Sequence, residues 1–236
     1  MNLRQIELKH AKYLFYDLHL DNKSISENIQ KELKPFTAKD VLIVGCPGIA
    51  KELTNRGFDV TILLASEDMK RYVQNTFPLA KTVLRDMTSI DRIGMRFDAV
   101  VCLGATFSNL ITDRDVQSVI SSFHGVLKHG GIILLENLKD SKLLESGNSI
   151  TKIENGDVKI KRVSRILPTS NNPPTALWNE TYELIQNGKR NVYEESSKIR
   201  GYSEEHMRKL MAFHNFQVVK TMESSKGHNF LTLARK

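Results

Sequence analysis

Five short apolar runs, separated by stretches with helical spacing, constrain the fold of this chain more than any other feature. The runs are Val41–Val44, Asp59–Leu64, Thr82–Leu84, Phe97–Leu103 and Ile132–Leu135. Continuous runs of this length, rich in β-branched residues, are typical of parallel strands buried on both faces. Crossovers between such strands are right-handed, so the pattern predicts a doubly wound, mostly parallel α/β sheet. Ligands of such sheets bind at the carboxyl ends of the strands, where the strand order reverses.

Helical spacing precedes the first run and separates most of the others. Residues 3–20 form one such stretch, and a second ends near Pro35, with Ser24 and Ser26 as alternative N-cap residues. Further helices are predicted over residues 49–55, 67–76 with Ser66 as N-cap, and 113–127 closed by Gly130 and Gly131.

Residues 150–200 have a different pattern. Asn155-Gly156 and Asn187-Gly188 each lie between two strand-like segments, and Asn-Gly is a strong hairpin signal. We therefore expect an antiparallel insertion laid over one end of the parallel sheet. The closing elements are predicted as a helix over 204–213 with Ser203 as N-cap, and strands over 216–221 and 230–234.

Length and composition indicate one domain, residues 1–236, with 40% hydrophobic residues to form its core. No apolar run reaches the roughly 18–20 residues of a membrane helix, and Met1–His10 lacks the apolar core of a secretory signal. We therefore expect a cytoplasmic protein with no membrane contact. Cys46 and Cys102 each follow an apolar run and are interpreted as buried, reduced thiols. No metal site is predicted.

The net charge of +7 is concentrated in the C-terminal part of the chain. Residues 137–236 carry 17 Lys and Arg residues against 11 Asp and Glu residues. Such an excess suits an acidic substrate or a nucleic acid, but an ordinary solvated basic surface explains it equally well. Because no RNA-binding motif accompanies the charge, nucleic acid is not the expected partner.

Several segments together resemble the motifs of class I S-adenosylmethionine-dependent methyltransferases. They are Val41–Gly48 for the glycine-rich turn, Arg56–Thr61 with Ser66–Met69 for the second strand and its helix, Arg85–Met87 for the acidic adenine motif, Arg96–Phe107 for the fourth strand and Leu127–Asn137 for the fifth. Their order and spacing carry the resemblance, which covers nearly the whole chain. It implies a Rossmann-like, doubly wound, seven-stranded sheet with an added antiparallel sheet on the substrate side.

The same resemblance implies S-adenosyl-L-methionine as the cofactor and a small-molecule N or O acceptor, amino sugars among them. Residues 1–36 would form a helical lid over the cofactor. The cofactor-binding residues that the resemblance implies are Tyr16, Gly45, Cys46, Gly48, Leu64, Asp86, Met87, Cys102, Leu103, Gly104 and Phe107. For Asp86 the alternative is a loop aspartate that caps nearby N–H groups, and for Phe107 it is a core position.

Three residues depart from the family pattern. Ile43 stands where the first strand has an acidic residue, and Pro47 removes a backbone donor from the turn. Leu64 stands where an acidic side chain holds the ribose hydroxyls, and leucine has no acceptor. These departures favour an alternative function, a non-catalytic methyltransferase-like scaffold or partner subunit, for which a stable partner or a homodimer is expected.

Methyl transfer requires alignment more than acid–base chemistry, because the sulfonium is already activated. Candidate bases are His19 on the lid and Glu136 at the end of the fifth strand. The substrate pocket is predicted to be shaped by Arg165, Trp178, Tyr182 and Arg200 in the antiparallel insertion. For Trp178 a core position is the alternative.

Overall fold

The computed structural model describes residues 10–104, 106–143, 145, 147–223 and 227–236. The part of the predicted first helix before residue 10 lies outside the described residues. Along the chain the elements are α1 (Ala11–His19), α2 (Asn22–Leu33), β1 (Asp40–Val44), α3 (Pro47–Asn55), β2 (Asp59–Leu64), α4 (Glu67–Thr76), β3 (Lys81–Leu84), β4 (Phe97–Cys102), α5 (Asp113–Val126), β5 (Leu127–Leu138), α6 (Asp140–Leu143), β6 (Gly147–Asn155), β7 (Val158–Asn171), β8 (Pro174–Gln186), β9 (Lys189–Arg200), α7 (Glu204–Phe213), β10 (Gln217–Glu223) and β11 (Asn229–Arg235).

The main sheet has seven strands in the order β3-β2-β1-β4-β5-β11-β10. The pairs β1–β2, β2–β3, β1–β4 and β4–β5 are parallel. Strand β11 runs antiparallel to both β5 and β10. The order therefore reverses between β1 and β4, and the predicted doubly wound, mostly parallel sheet is confirmed.

The central strands are buried on both faces, which explains why they appear in the sequence as continuous apolar runs. Val41 and Ile43 of β1 pack into one hydrophobic cluster with α1 and α3, whereas Leu42 and Val44 pack into a second cluster with α5. Full burial of one such side chain stabilises a fold by roughly 1.5–3 kcal/mol. The two clusters fix the layers of helices on either side of the sheet.

The N-cap residues predicted from the sequence are confirmed for α4 and α7 and are wrong for α2. The Ser66 and Ser203 hydroxyls accept hydrogen bonds from the backbone three residues later, as predicted. The expected caps of α2, Ser24 and Ser26, are wrong. Asp21 accepts from the Ser24 amide and begins the helix, while the Ser26 hydroxyl donates to a backbone carbonyl. An aspartate before the serines serves the same capping chemistry one turn earlier.

The predicted glycine stop after α5 is also wrong. Helix α5 ends at Val126, and β5 already begins at Leu127, which pairs with Phe97. Gly131 lies inside the strand, where a Cβ would meet the Lys128 carbonyl oxygen at 2.9 Å and the Asp98 carbonyl oxygen at 3.1 Å. The glycine thus permits close approach of two backbones rather than closing a helix.

A second, antiparallel sheet of four strands in the order β6-β7-β8-β9 confirms the predicted insertion. It begins at Gly147, slightly before the expected boundary at residue 150. Both predicted Asn-Gly pairs form tight turns, with positive φ at Gly156 and at Asn187. No helix among the described residues is long and apolar enough to cross a membrane.

The junction between the two sheets depends on Gly201. A Cβ at this position would lie 2.6 Å from the Asp140 Cα atom, and backbone atoms cannot move aside as a flexible side chain can. Gly201→Ala should therefore lower the free energy of unfolding by about 1–3 kcal/mol, as overpacking does. The measurement is chemical denaturation.

The matched control is Gly147→Ala at the start of β6, where a Cβ would meet nothing within 4 Å. This variant should unfold as the parent does. Equal midpoints for the two variants would contradict the close packing of the junction.

Candidate functional site

The turn between β1 and α3 lies directly against the loop after β4. Gly45 and Cys46 both have positive φ, and Pro47 begins the helix. A Cβ on Gly45 would lie 2.6 Å from the Thr106 hydroxyl oxygen and 3.2 Å from the Leu103 carbonyl oxygen. Only glycine fits between the two loops in this conformation. The glycine-rich turn therefore lies at the carboxyl edge of the sheet, next to the switch in strand order.

Glu136, predicted as a base, holds the loop after β4 in place. One carboxylate oxygen accepts from the Gly104 amide at 2.6 Å, and the other accepts from the Asn229 side-chain amide at 2.8 Å. A carboxylate engaged through both oxygens fixes the position of the loop. This arrangement favours a positioning role over proton abstraction.

Asp17, which is not among the predicted site residues, lies over the start of α3. Its Oδ1 atom accepts a hydrogen bond from the Gly48 amide at 3.0 Å, and its Oδ2 atom accepts one from the Tyr72 hydroxyl at 2.6 Å. The Asn22 side chain donates to the Asp17 carbonyl oxygen at 2.8 Å. These contacts place α1 on the turn, and a Cβ on Gly48 would lie 2.8 Å from Oδ1.

Burial raises the pKa of Asp17 above its ordinary value of 3.8, against the lowering effects of the bonds from Tyr72 and Gly48 and of the Lys51 charge. Burial raises the pKa of the Cys46 thiol as well, and the negative charges of Glu136 and Asp17 raise it further. The thiol is therefore neutral, and it lies near the carboxylates of Glu136 and Asp17.

On its other side, α1 contacts the inner face of the antiparallel sheet through a buried ion pair. Glu180 of β8 accepts from Arg162 of β7 at 2.7 Å and from the Tyr182 hydroxyl at 2.8 Å. The Tyr16 hydroxyl lies 3.4 Å from the same carboxylate oxygen. Burial, followed by the Glu180 charge, raises the pKa of Tyr16.

The Arg162 guanidinium also packs on three aromatic rings. Its Cζ atom lies 5.4 Å from the ring centroids of Phe15 and Trp178, and 5.7 Å from that of Tyr16. Such cation–π contacts strengthen when they are desolvated. The Trp178 indole also donates to the Ser164 hydroxyl at 2.7 Å. Tyr16, Arg162 and Trp178 are each only partly buried, so this cluster borders the site instead of lying wholly in the core.

Two of the four predicted substrate residues lie elsewhere. Arg165 is exposed on the outer face of β7, because side chains alternate along a strand and Arg162 and Ser164 already face inward. Arg200 is buried, donates to the Ile111 carbonyl oxygen at 3.2 Å and pairs with Asp113 at 2.7 Å. Arg200 therefore connects the end of β9 to the segment before α5. Tyr182 and Trp178 lie on the inner face.

The residues predicted to bind the adenosine part of the cofactor lie in separate surroundings. Asp86 is exposed and accepts from the Thr88 amide at 2.8 Å, which is the alternative capping role. This bond and that from the Thr88 hydroxyl lower the pKa of Asp86. Phe107 is fully buried, with its ring 5.3 Å from that of Tyr202, which is the alternative core position. Met87 packs beside the same cluster as Phe107.

Leu64 and Cys102 are fully buried, Leu103 is 4% exposed and Gly104 is exposed at the edge of the sheet. His19 is exposed on α1, where its ring stacks on that of Phe15 with the ring centroids 5.1 Å apart.

Both cysteines are free thiols. Among the residues that the structure describes, no group of three or more His, Cys, Asp or Glu side chains is placed to hold a metal ion.

Two surface hollows lie away from this edge. One of about 400 Å³ is formed by α7 and β10, around Ala212 and Val218. Another of about 350 Å³ lies at the amino ends of β2 and β3, around Asp59 and Lys81. Neither includes the turn after β1, which α1 covers.

No protein-family model matches the chain. It is 34% identical over 125 residues to a glycine/sarcosine N-methyltransferase of Parasynechococcus marenigrum, a match that covers 50% of this chain and 44% of that protein. It is also 34% identical over 136 residues to the glycine/sarcosine N-methyltransferase of Aphanothece halophytica, covering 55% and 51%. The matches thus span about half the length of these relatives.

Solved structures match over nearly the whole chain. Streptomyces venezuelae DesVI superposes with a TM-score of 0.86 at 20% identity, covering 98% of each chain. CalS10, an amino pentose methyltransferase from Micromonospora echinaspora, superposes with a TM-score of 0.79 at 16% identity, covering 100% of each chain. The chain is therefore similar in sequence to N-methyltransferases over about half of its length, and its fold is that of the superposed methyltransferase structures over nearly all of it.

The Arg162–Glu180 pair should stabilise the position of α1. Glu180→Gln leaves a guanidinium that is 12% exposed without its counterion, and we expect it to lower the free energy of unfolding by about 3–5 kcal/mol. The comparison variant is Glu183→Gln on the opposite face of β8. The Arg190–Glu183 pair there is open to solvent and should contribute little to the free energy of unfolding. Urea unfolding measures both variants, and similar losses in the two would contradict the account.

The raised pKa of Asp17 has a consequence for stability. The folded protein binds a proton at this carboxyl more tightly than the unfolded chain does, so the contribution of Asp17 to stability falls as pH rises above 3.8 through the raised pKa. The free energy of unfolding of the parent, minus that of Asp17→Asn, should therefore decrease from pH 4 to pH 7. Urea titrations at both pH values test this, and an increase would mean that the fold favours the ionised form.

Proposed function

We propose that the chain is an S-adenosyl-L-methionine-dependent methyltransferase whose acceptor is a nitrogen of a small molecule. The observation that carries the proposal is the meeting of the β1–α3 turn and the loop after β4 beneath α1, at the carboxyl edge where the strand order reverses. Relatives that act on glycine and sarcosine, and a structural neighbour that acts on an amino pentose, support a nitrogen acceptor.

The residues at this edge fit the cofactor in charge. Gly45 lets the turn pack directly against the loop after β4, and the carboxylates of Asp17 and Glu136 lie beside these two loops. The cofactor is positively charged at sulfur and at its amino group, so these carboxylates favour it. The fit is weaker at the ribose, because the buried Leu64 side chain has no acceptor for hydroxyl groups.

When bound, the cofactor supplies a methyl group that is already activated for transfer. The chain's own residues then have to align the acceptor and exclude water. Tyr16 and Trp178 are both partly buried and lie between α1 and the inner face of the antiparallel sheet. They would form the apolar walls of the acceptor site, with the Tyr16 hydroxyl as the polar group that orients the amine. Glu136 would keep the loop after β4 in position.

Isothermal titration with S-adenosylhomocysteine tests the cofactor, and incubation with labelled S-adenosylmethionine and a panel of glycine, sarcosine and amino sugars tests the acceptor. We expect saturable heat and label transfer to at least one amine. Glu136→Gln should reduce turnover by loosening the loop while leaving its pH profile unchanged, since the residue is not used as a base. Absence of both binding and transfer would overturn the proposal.

A non-catalytic, methyltransferase-like protein is the second candidate. It is favoured by two fully buried hydrocarbon side chains, Ile43 in β1 and Leu64 at the end of β2, and by the Asp17 carboxylate that already occupies the Gly48 amide. For this candidate, S-adenosylhomocysteine at high concentration should neither release heat nor raise the melting temperature.

A further inference from the structure

We infer that Asp17 binds the amino group of the cofactor's methionine moiety, so that a carboxylate on the lid, rather than one on the sheet, recognises that end of the cofactor. This inference rests on the proposed function and names a cofactor-binding residue that is not among the site residues predicted from the sequence.

The Asp17 carboxylate is incompletely coordinated. An ionised carboxylate has about four acceptor positions. The structure gives Asp17 one donor on each oxygen, the Gly48 amide on Oδ1 and the Tyr72 hydroxyl on Oδ2. The side chain is only half-buried, so it keeps capacity for a further donor that arrives at the turn.

The charges around Asp17 also favour a cationic ligand. The groups that face Asp17 are neutral donors, the Gly48 amide from α3 and the Tyr72 hydroxyl from α4, and the nearby Cys46 thiol is neutral. Lys51 attracts the carboxylate, but its side chain is exposed and therefore screened by solvent. Burial raises the pKa of Asp17 despite Lys51. A cationic ligand donating to this carboxylate would offset the cost of its burial.

The contacts at the turn also determine how an amino acid is oriented there. A bare glycine turn at the start of a helix attracts an anion. Here the Gly48 amide is already occupied by Asp17, and a second carboxylate would be repelled. The buried Ile43 side chain of β1 offers no acceptor to an ammonium group. A zwitterionic amino acid at this turn therefore turns its ammonium group, not its carboxylate, toward Asp17.

The test compares two ligands by isothermal titration. S-adenosylhomocysteine carries the amino-acid end, and methylthioadenosine keeps the adenosine and the sulfur but lacks the amino and carboxylate groups. Asp17→Asn should weaken S-adenosylhomocysteine about 10- to 100-fold, the equivalent of the roughly 1.5–3 kcal/mol of a charged hydrogen bond. The same variant should bind methylthioadenosine as the parent does.

A matched control is Tyr72→Phe, which removes a neutral donor from Asp17 and leaves the charge. It should keep most of the affinity for S-adenosylhomocysteine. The parent should also release protons on binding S-adenosylhomocysteine at mildly acidic pH, measured as a dependence of the heat on the buffer's ionisation enthalpy, and Asp17→Asn should not. The ammonium group lowers the pKa of the carboxyl that it contacts.

Each contrary result has a distinct meaning. If the parent binds S-adenosylhomocysteine and Asp17→Asn binds it equally well, the inference is overturned and the proposed function stands. Equal losses for both ligands would show that Asp17 only positions α1, and would also overturn the inference. If the parent binds neither ligand, the proposed function itself fails.

Discussion

The position of α1 over the sheet depends on one half-buried carboxylate. Asp17 joins α1 to the first turn of α3 through the Gly48 amide and to α4 through the Tyr72 hydroxyl. The two donors stabilise the carboxylate but do not fully replace water, which is why its pKa is raised. An ionised carboxylate that is partly desolvated in this way adds little to the free energy of unfolding. Its placement at the carboxyl edge is better explained by recognition of a positively charged ligand.

The opposite side of α1 is held by a different kind of carboxylate. Glu180 is almost fully buried, and its Oε1 atom accepts hydrogen bonds from Arg162 and the Tyr182 hydroxyl, with the Tyr16 hydroxyl 3.4 Å away. Helix α1 is therefore held on one side by Glu180 of the antiparallel sheet, and on its other side it presents its own carboxylate, Asp17, to the turn after β1. Glu180 fixes the helix through its ion pair with Arg162, and Asp17 faces the turn where the motifs place the cofactor.

Local patterns predicted the fold closely, because strand burial and helix capping are set by neighbouring residues. Ser66 and Ser203 cap the helices that follow them, and the apolar runs become the parallel strands in the expected places. The site was less predictable because it depends on distant contacts. Arg165 was chosen where Arg162 faces inward, since one residue of register decides the face of a strand. Tyr16 was selected as a site residue and the neighbouring Asp17 was not, because the partner of Asp17, Gly48, lies 31 residues away in the sequence.

The most direct test of the account is a crystal structure of the chain with S-adenosylhomocysteine. The account predicts ligand density between α1 and the β1–α3 turn, with the amino nitrogen within hydrogen-bonding distance of an Asp17 carboxylate oxygen. A saturated crystal in which the ligand is absent from that edge, or in which its carboxylate and not its amino group meets the turn, would contradict it.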